Sequence, residues 1–323
     1  MHLLTPEAMR YPLNIAVVGG GLMGCGIAAK LASAGQHVIV FDNAAGAGRR
    51  ISDTCAQTFH EMVKGGVLDA GDVQACLQRV LVVGDIGELA AADIVFEAIF
   101  EDLDQKRSLY RKLECIVTSQ AIIASTTSGF TPESLFENLD FCERTLVAHF
   151  WNPPHLIPLV EILSSSKTES TAVDFVIQLL ENCGCVPVRL FKATPGFIGN
   201  RIQFAVLREA LHLLREGVAD AQTIDMVVCE TLGRRYRWIG PLEVADAGVA
   251  DHQREARIIA ALQRGGAIVE GHGEGHGLDD GAQLVDAAGH AVLLVLREVL
   301  LFLVGVEVRQ RDEREHLARI DVH

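Results

Sequence analysis

The sequence predicts an α/β fold: a doubly wound, mostly parallel sheet followed by a smaller, mainly helical C-terminal domain. Two observations predict it. Between Asn14 and about Leu190, short β-branched runs alternate with helical patterns, the order that builds βαβ units and hence parallel strands. After Pro195-Gly196 the strand-like runs stop and longer helical periodicities replace them. The expected boundary is near Thr194, with one domain over 1–194 and a second over 195–323.

Asn14-Ile-Ala-Val-Val18 is the first strand, and it ends in Gly19-Gly20-Gly21-Leu22-Met23-Gly24. A helical pattern runs from about Met23 to Ala34 and stops at Gly35. His37 to Phe41 is the second strand, ending at Asp42. Strand, G-x-G-x-x-G, helix, strand and acid, in that order, form a Rossmann-type dinucleotide site. Gly19 permits the tight turn, Gly21 lets the backbone approach a pyrophosphate, and Gly24 lets the helix lie close to the sheet. Leu22 and Met23 open a helix whose first N–H groups are available to phosphate oxygens. Asp42 would accept from the ribose hydroxyls of NAD and repel the 2′-phosphate of NADP, so NAD is the expected cofactor.

Ala47 to Lys64 predicts a helix, with Ile51, Cys55, Phe59 and Met62 on one side. Val80 to Val83 and Ile94 to Ala98 are further strands. The second leads past Glu101-Asp102 into a helix ending near Leu113. Ile122 to Ala124 runs into Ser125-Thr-Thr-Ser128. In parallel sheets ligands lie beyond the carboxyl ends of the strands, where Gly19, Ser128 and His149 all fall. Glu101, just past such an end, joins the expected cofactor contacts.

Two apolar runs, Leu146 to Ala148 and Leu156 to Leu163, flank Asn152-Pro153-Pro154, in which neither proline can donate a backbone hydrogen bond. His149 thus stands where a strand gives way to a rigid loop, and Glu161 returns on the following run. Such a pair can act as general base and orienting carboxylate. The alternative is a hydrogen-bonded core histidine and an unrelated surface glutamate. Val186 to Leu190 is the last strand. Phe197 to Glu216 then predicts one long helix stopped by Gly217, with Asp220 or Thr223 capping another that runs to about Leu232.

Composition narrows the function classes. A chain of 323 residues has room for two domains, and its formal net charge of −14 makes a nucleic-acid partner unfavourable. Eight scattered cysteines suit reduced thiols in the cytoplasm. Met1 to Arg10 has no apolar signal-like stretch. Ala291 to Val306, broken by Arg297 and Glu298, is too short to span a bilayer and is expected to be a buried or dimer-facing helix. No membrane partner is expected. The glycine-rich Gly271-His-Gly-Glu-Gly-His-Gly277 lacks a rigid presentation of ligands, so no metal is expected either.

Taken with Pro195-Gly-Phe-Ile-Gly-Asn-Arg201 and Gly240-Pro-Leu-Glu243, these motifs resemble the L-3-hydroxyacyl-CoA dehydrogenase family, and within it the lambda-crystallin (L-gulonate 3-dehydrogenase) branch. The likeness runs from about Asn14 to Ala247, and from about Gly248 the chain departs from the family's pattern. The resemblance implies that His149 is the catalytic base and Glu161 its partner. It also implies that Ser128 and Asn200 bind the reacting part of the substrate, with Lys64 close to a CoA-contacting lysine. The implied reaction is reversible NAD-dependent oxidation of an L-3-hydroxyacyl-CoA such as 3-hydroxybutyryl-CoA, in a homodimer joined through the second domain. L-Gulonate or another free 3-hydroxy acid is the alternative substrate, and a non-catalytic crystallin-like role is the alternative to an enzyme. Arg234, Arg235 and Arg237 concentrate positive charge before Gly240-Pro241, and Arg235 is the expected contact for an anionic group of the substrate.

Overall fold

A computed structural model describes residues 13–136 and 138–247. The chain divides into two compact units, one running to Glu216 and the other beginning at Gly217. The Gly271–Gly277 stretch and the apolar segment Ala291–Val306 lie outside the described residues.

The first unit is built on an eight-stranded sheet. Its strands are β1 (Ile15–Val18), β2 (Val38–Phe41), β3 (Val80–Val83), β4 (Ile94–Glu97), β5 (Ile122–Ser125), β6 (Thr145–Phe150), β7 (Leu159–Ser164) and β8 (Val186–Arg189). Their order across the sheet is β3-β2-β1-β4-β5-β6-β7-β8. Every pairing is parallel except that of β6 with β7. Helices α1 (Leu22–Ser33), α2 (Ala47–Lys64), α3 (Val73–Gln78) and α6 (Ser170–Asn182) contribute to the core on one face. Helices α4 (Leu103–Glu114) and α5 (Pro132–Phe136) contribute to the core on the other.

The local chemistry explains most of these elements. α1 is apolar nearly all round because it is buried nearly all round, from Gly24 to Ala32 with Lys30 as the exception. Ile27 and Leu31, both fully buried, each contribute roughly 1.5–3 kcal/mol. α2 instead carries one apolar stripe, Ile51, Cys55, Phe59 and Met62, and these are its buried side chains. All eight cysteines are free. No described helix is long and apolar enough to cross a membrane.

Two expected boundaries shift, each for a backbone reason. The run from Leu156 becomes strand only at Leu159, because Pro158 lacks the N–H that a ladder requires. The long helix α7 (Gly199–Arg215) begins two residues later than predicted, because Phe197 takes a left-handed φ of 49°. Asp220 does cap the next helix, α8 (Ala221–Val228), accepting from Thr223 N at 2.7 Å. The helical path then continues through a π turn, Cys229–Gly233.

Where β4 and β5 end, a buried polar cluster braces the sheet against α4. Glu97 and Lys106 are 0% and 1% exposed, with Nζ 2.6 Å from Oε1. Oε1 also accepts from Ile99 N at 2.8 Å, while Oε2 accepts from the hydroxyls of Tyr110 and Ser125. Burial, reinforced by the Glu97 charge, pushes the Tyr110 phenol well above its usual range, so it remains a donor. A carboxylate lodged within an apolar strand is thus fully matched. Lys106→Met should strand that carboxylate and cost about 3–5 kcal/mol of unfolding free energy in urea titrations. The double variant Glu97→Gln/Lys106→Met should recover much of the loss.

Candidate active site

The glycine turn between β1 and α1 has the shape its sequence demands. Gly19 has φ +107°, and a Cβ there would come within 2.5 Å of the Ala98 carbonyl oxygen. A Cβ on Gly24 would lie 1.8 Å from the Gly19 oxygen, so only glycine lets α1 approach this closely. At Gly21 a Cβ would meet nothing within 4 Å, which leaves that side of the turn open. No side chain caps α1, and Leu22 in its first turn is 62% exposed. Met23 is half-buried against the core.

Asp42, at the end of β2, accepts from Gly20 N and Ala44 N, both at 2.8 Å. Burial acts to raise its pKa, but those two amides and the Arg50 guanidinium outweigh it and hold the carboxyl below its ordinary range. An open glycine turn, uncapped helix amides and an ionised carboxylate at the next strand end fit a dinucleotide: pyrophosphate at the turn, ribose at the acid.

Farther along the same rim, β6 and β7 place His149 directly opposite Glu161 in antiparallel register. Opposed residues project from one face of the sheet, and the side chains meet, with Nδ1 2.9 Å from Oε2. Both are buried, at 6% and 1% exposed. The other carboxylate oxygen, Oε1, accepts from Ile198 N at 2.9 Å and Gly199 N at 3.2 Å, at the start of α7. Burial alone would raise Glu161, yet the His149 ring and these two amides overcome it and keep the group below the usual carboxylate range. An ionised carboxylate can only accept, so it holds a proton on Nδ1, and in the neutral ring Nε2 is then the acceptor.

The surrounding residues hold this arrangement. The Phe197 ring is fully buried, 5.2 Å from the His149 ring, and its left-handed backbone turns the next two amides toward Glu161. The Trp151 ring centre is 5.9 Å from that of His149, and its indole lies across Gly199, where a Cβ would come within 2.0 Å of it. His155, two residues past Pro153, brings Nε2 to 3.1 Å from Glu61 on α2.

The other expected residues are distributed as follows. Asn200 is the second residue of α7, beside the amides that Glu161 accepts, and it is not the helix cap. Ser128 donates its backbone N–H to Glu101 Oε1 at 3.2 Å, and the Thr127 hydroxyl donates to the same oxygen. Glu101 is also 3.5 Å from Lys106, which joins the Ser128 loop to the buried cluster below β4. Lys64 is the exposed last residue of α2, one turn beyond Glu61. In the second unit Arg234 pairs with Glu230, Arg237 lies over Trp238 at 5.4 Å, and Arg235 is exposed.

Arg50, Trp151 and the Glu97–Lys106–Tyr110 cluster are not singled out by sequence pattern. One signal was present: Glu97 is a charged residue inside the apolar run Ile94 to Ala98.

Glu161 gives a pH-dependent test. A depressed carboxyl contributes stability that is complete above the ordinary glutamate range and is lost as pH falls through the lowered value. Glu161→Gln should cost about 1.5–3 kcal/mol near neutral pH. In urea titrations the gap between native protein and variant should stay constant near neutrality and close below about pH 4.

Residues 14–194 match the family model of the 3-hydroxyacyl-CoA dehydrogenase NAD binding domain, and residues 196–267 match that of its C-terminal domain. The second match carries the family likeness past Gly248, beyond the motifs that the sequence alone offers. Among curated proteins, the 5-formyl-3-hydroxy-2-methylpyridine 4-carboxylate 5-dehydrogenase of Mesorhizobium japonicum is 34% identical over 242 residues, 74% of this chain and 76% of that protein. The lambda-crystallin homolog of Bos taurus is 37% identical over 238 residues, covering 72% and 73%. A crystal structure of a 5-formyl-3-hydroxy-2-methylpyridine 4-carboxylic acid 5-dehydrogenase, described as an NAD+ dependent dismutase, superposes with a TM-score of 0.69 at 29% identity. That match covers 90% of this chain and 99% of the other. The NAD-type turn at Gly19–Gly24 and the two domain matches converge: the chain belongs to the 3-hydroxyacyl-CoA dehydrogenase family, in its lambda-crystallin-like branch.

Proposed function

We propose that this chain oxidises the 3-hydroxy group of a small substrate reversibly, with His149 as general base. The observation that carries the reading is the buried chain of contacts from the His149 ring through Glu161 to the amides of Ile198 and Gly199. NAD, when bound, supplies the hydride acceptor. Gly19, Gly21, Leu22, Met23, Gly24, Asp42 and Glu101 are the residues proposed to hold it.

His149 takes the hydroxyl proton at Nε2 as the carbonyl forms at C3, and in the reverse direction returns it. Glu161 stabilises the imidazolium that results and keeps the ring from turning. Ser128 and Asn200 hydrogen-bond the reacting oxygen. Their side chains have no protein partner among the described residues, which leaves both available for that role.

An L-3-hydroxyacyl-CoA, such as 3-hydroxybutyryl-CoA, is the first substrate class, with Lys64 contacting the CoA portion. A free hydroxy acid is the second. It is favoured by the relative named for a pyridine carboxylate and by Arg235, whose guanidinium suits a carboxylate bidentately. A homodimer and a cytoplasmic location belong to the same reading.

His149→Gln should lower kcat by roughly 10²–10⁴ while leaving NADH binding nearly intact, as measured by titration calorimetry beside a turnover assay. Near-normal turnover would end the proposal. NADH binding with no turnover of 3-hydroxybutyryl-CoA, L-gulonate or L-carnitine by the native protein would favour a crystallin-like role.

The substrate class is read separately. Arg235→Ala should reduce kcat/KM for a free acid such as L-gulonate by roughly 10²-fold, but change that for 3-hydroxybutyryl-CoA far less. Equal activity of variant and native protein on every substrate would return Arg235 to an ordinary exposed side chain.

A further inference from the structure

The peptide of Gly20, in the middle of the glycine turn, is held on both sides. Its N–H donates to Asp42 Oδ2 at 2.8 Å, and its carbonyl accepts from Arg50 Nη1 at 2.5 Å. The other arm of the guanidinium, Nη2, lies 3.4 Å from Asp42 Oδ2. That contact is loose, since a charge-assisted pair usually closes to about 2.7–2.9 Å. Asp42 is mostly covered, with 16% of its side chain exposed, whereas Arg50 is 49% exposed. A half-exposed cation with spare donors therefore stands beside the carboxylate at the end of β2.

The two charges have opposite preferences for a dinucleotide. A carboxylate accepts from ribose hydroxyls and repels a 2′-phosphate, while a guanidinium binds that phosphate through its planar fork. We propose that Arg50 is a second determinant of cofactor choice. Its charge offsets that of Asp42 and softens the rejection of NADPH, and it is the group that would hold a 2′-phosphate once the carboxylate is removed. The proposal rests on the reading of Asp42 as the ribose contact.

A purely structural Arg50, clipping the turn through the Gly20 carbonyl, makes a different prediction. Loss of a clip weakens NADH and NADPH alike. Loss of a charge weakens NADPH selectively, because only NADPH carries the extra phosphate. Arg50→Gln separates the two, since the amide keeps a donor for the Gly20 carbonyl but carries no charge.

The experiment measures dissociation constants for NADH and NADPH by titration calorimetry. It uses the full-length native protein and the variants Arg50→Gln, Asp42→Ala and Asp42→Ala/Arg50→Gln. Arg50→Gln is expected to weaken NADPH about 10-fold and NADH no more than about 2-fold. Asp42→Ala is expected to tighten NADPH about 10-fold, and the double variant to lose that gain. The comparison of Asp42→Ala with the double variant decides the matter even where NADPH binds the native protein too weakly to measure. If the gain persists in the double variant, or if Arg50→Gln weakens both cofactors equally, Arg50 is only a clip. If Asp42→Ala leaves NADPH affinity unchanged, the placement of the ribose at Asp42 fails, and the role of Arg50 fails with it.

Discussion

Glu161 is a buried carboxylate, and burying one is tolerable only when its oxygens are matched. One oxygen is matched by the His149 ring and the other by two backbone amides at the start of α7. Much of the local structure follows from that requirement. The chain must turn sharply at Pro195-Gly196 to aim those amides, and Phe197 accepts a left-handed backbone to do it, a strain of roughly 1–2 kcal/mol for a non-glycine residue. Burial of the same ring against His149 offsets that strain. Gly199 must lack a side chain because Trp151 lies across it. The interaction that orients the imidazole is therefore also the one that ties a long helix to the sheet.

The same device recurs along the rim. Asp42 accepts from the amides of Gly20 and Ala44, Glu97 from that of Ile99, and Glu101 from that of Ser128. Each acid holds the loop that follows a strand in one conformation. Parallel strands leave their carboxyl ends open, so the loops there need some such internal support. In a chain with a net charge of −14, this places negative charge along the rim on which the dinucleotide is proposed to lie. The amides of α1 and the cations Arg50 and Lys106 provide the local compensation.

Much of this was legible in the sequence, and the exceptions share a cause. The bounds of α2 coincide with its amphipathic stripe because local periodicity and tertiary burial agree there. His149 and Glu161 could be paired because two apolar runs joined by a proline loop leave little choice but an antiparallel return. The start of α7 is not legible in this way, because helical periodicity carries no information about the left-handed φ of Phe197 just before it. The Glu97–Lys106–Tyr110–Ser125 cluster stayed hidden for a similar reason. It joins one strand to a helix and to the next strand, and no fixed spacing announces such a meeting. Of the three arginines before Gly240, Arg237 stacks on Trp238, which is an interaction of neighbours.

The single antiparallel pairing, of β6 with β7, has a consequence for how such a protein can change over generations. In a wholly parallel sheet, a histidine at one strand end and its carboxylate on the next would be joined by a long crossover, and every insertion in that crossover could disturb their meeting. Here β7 returns directly beside β6, so ladder pairing, which reverses the face of a strand for a one-residue slip, sets which side chains meet. The exposed loop residues Asn152 and Leu156 can then vary in size and polarity while His149 and Glu161 keep their register.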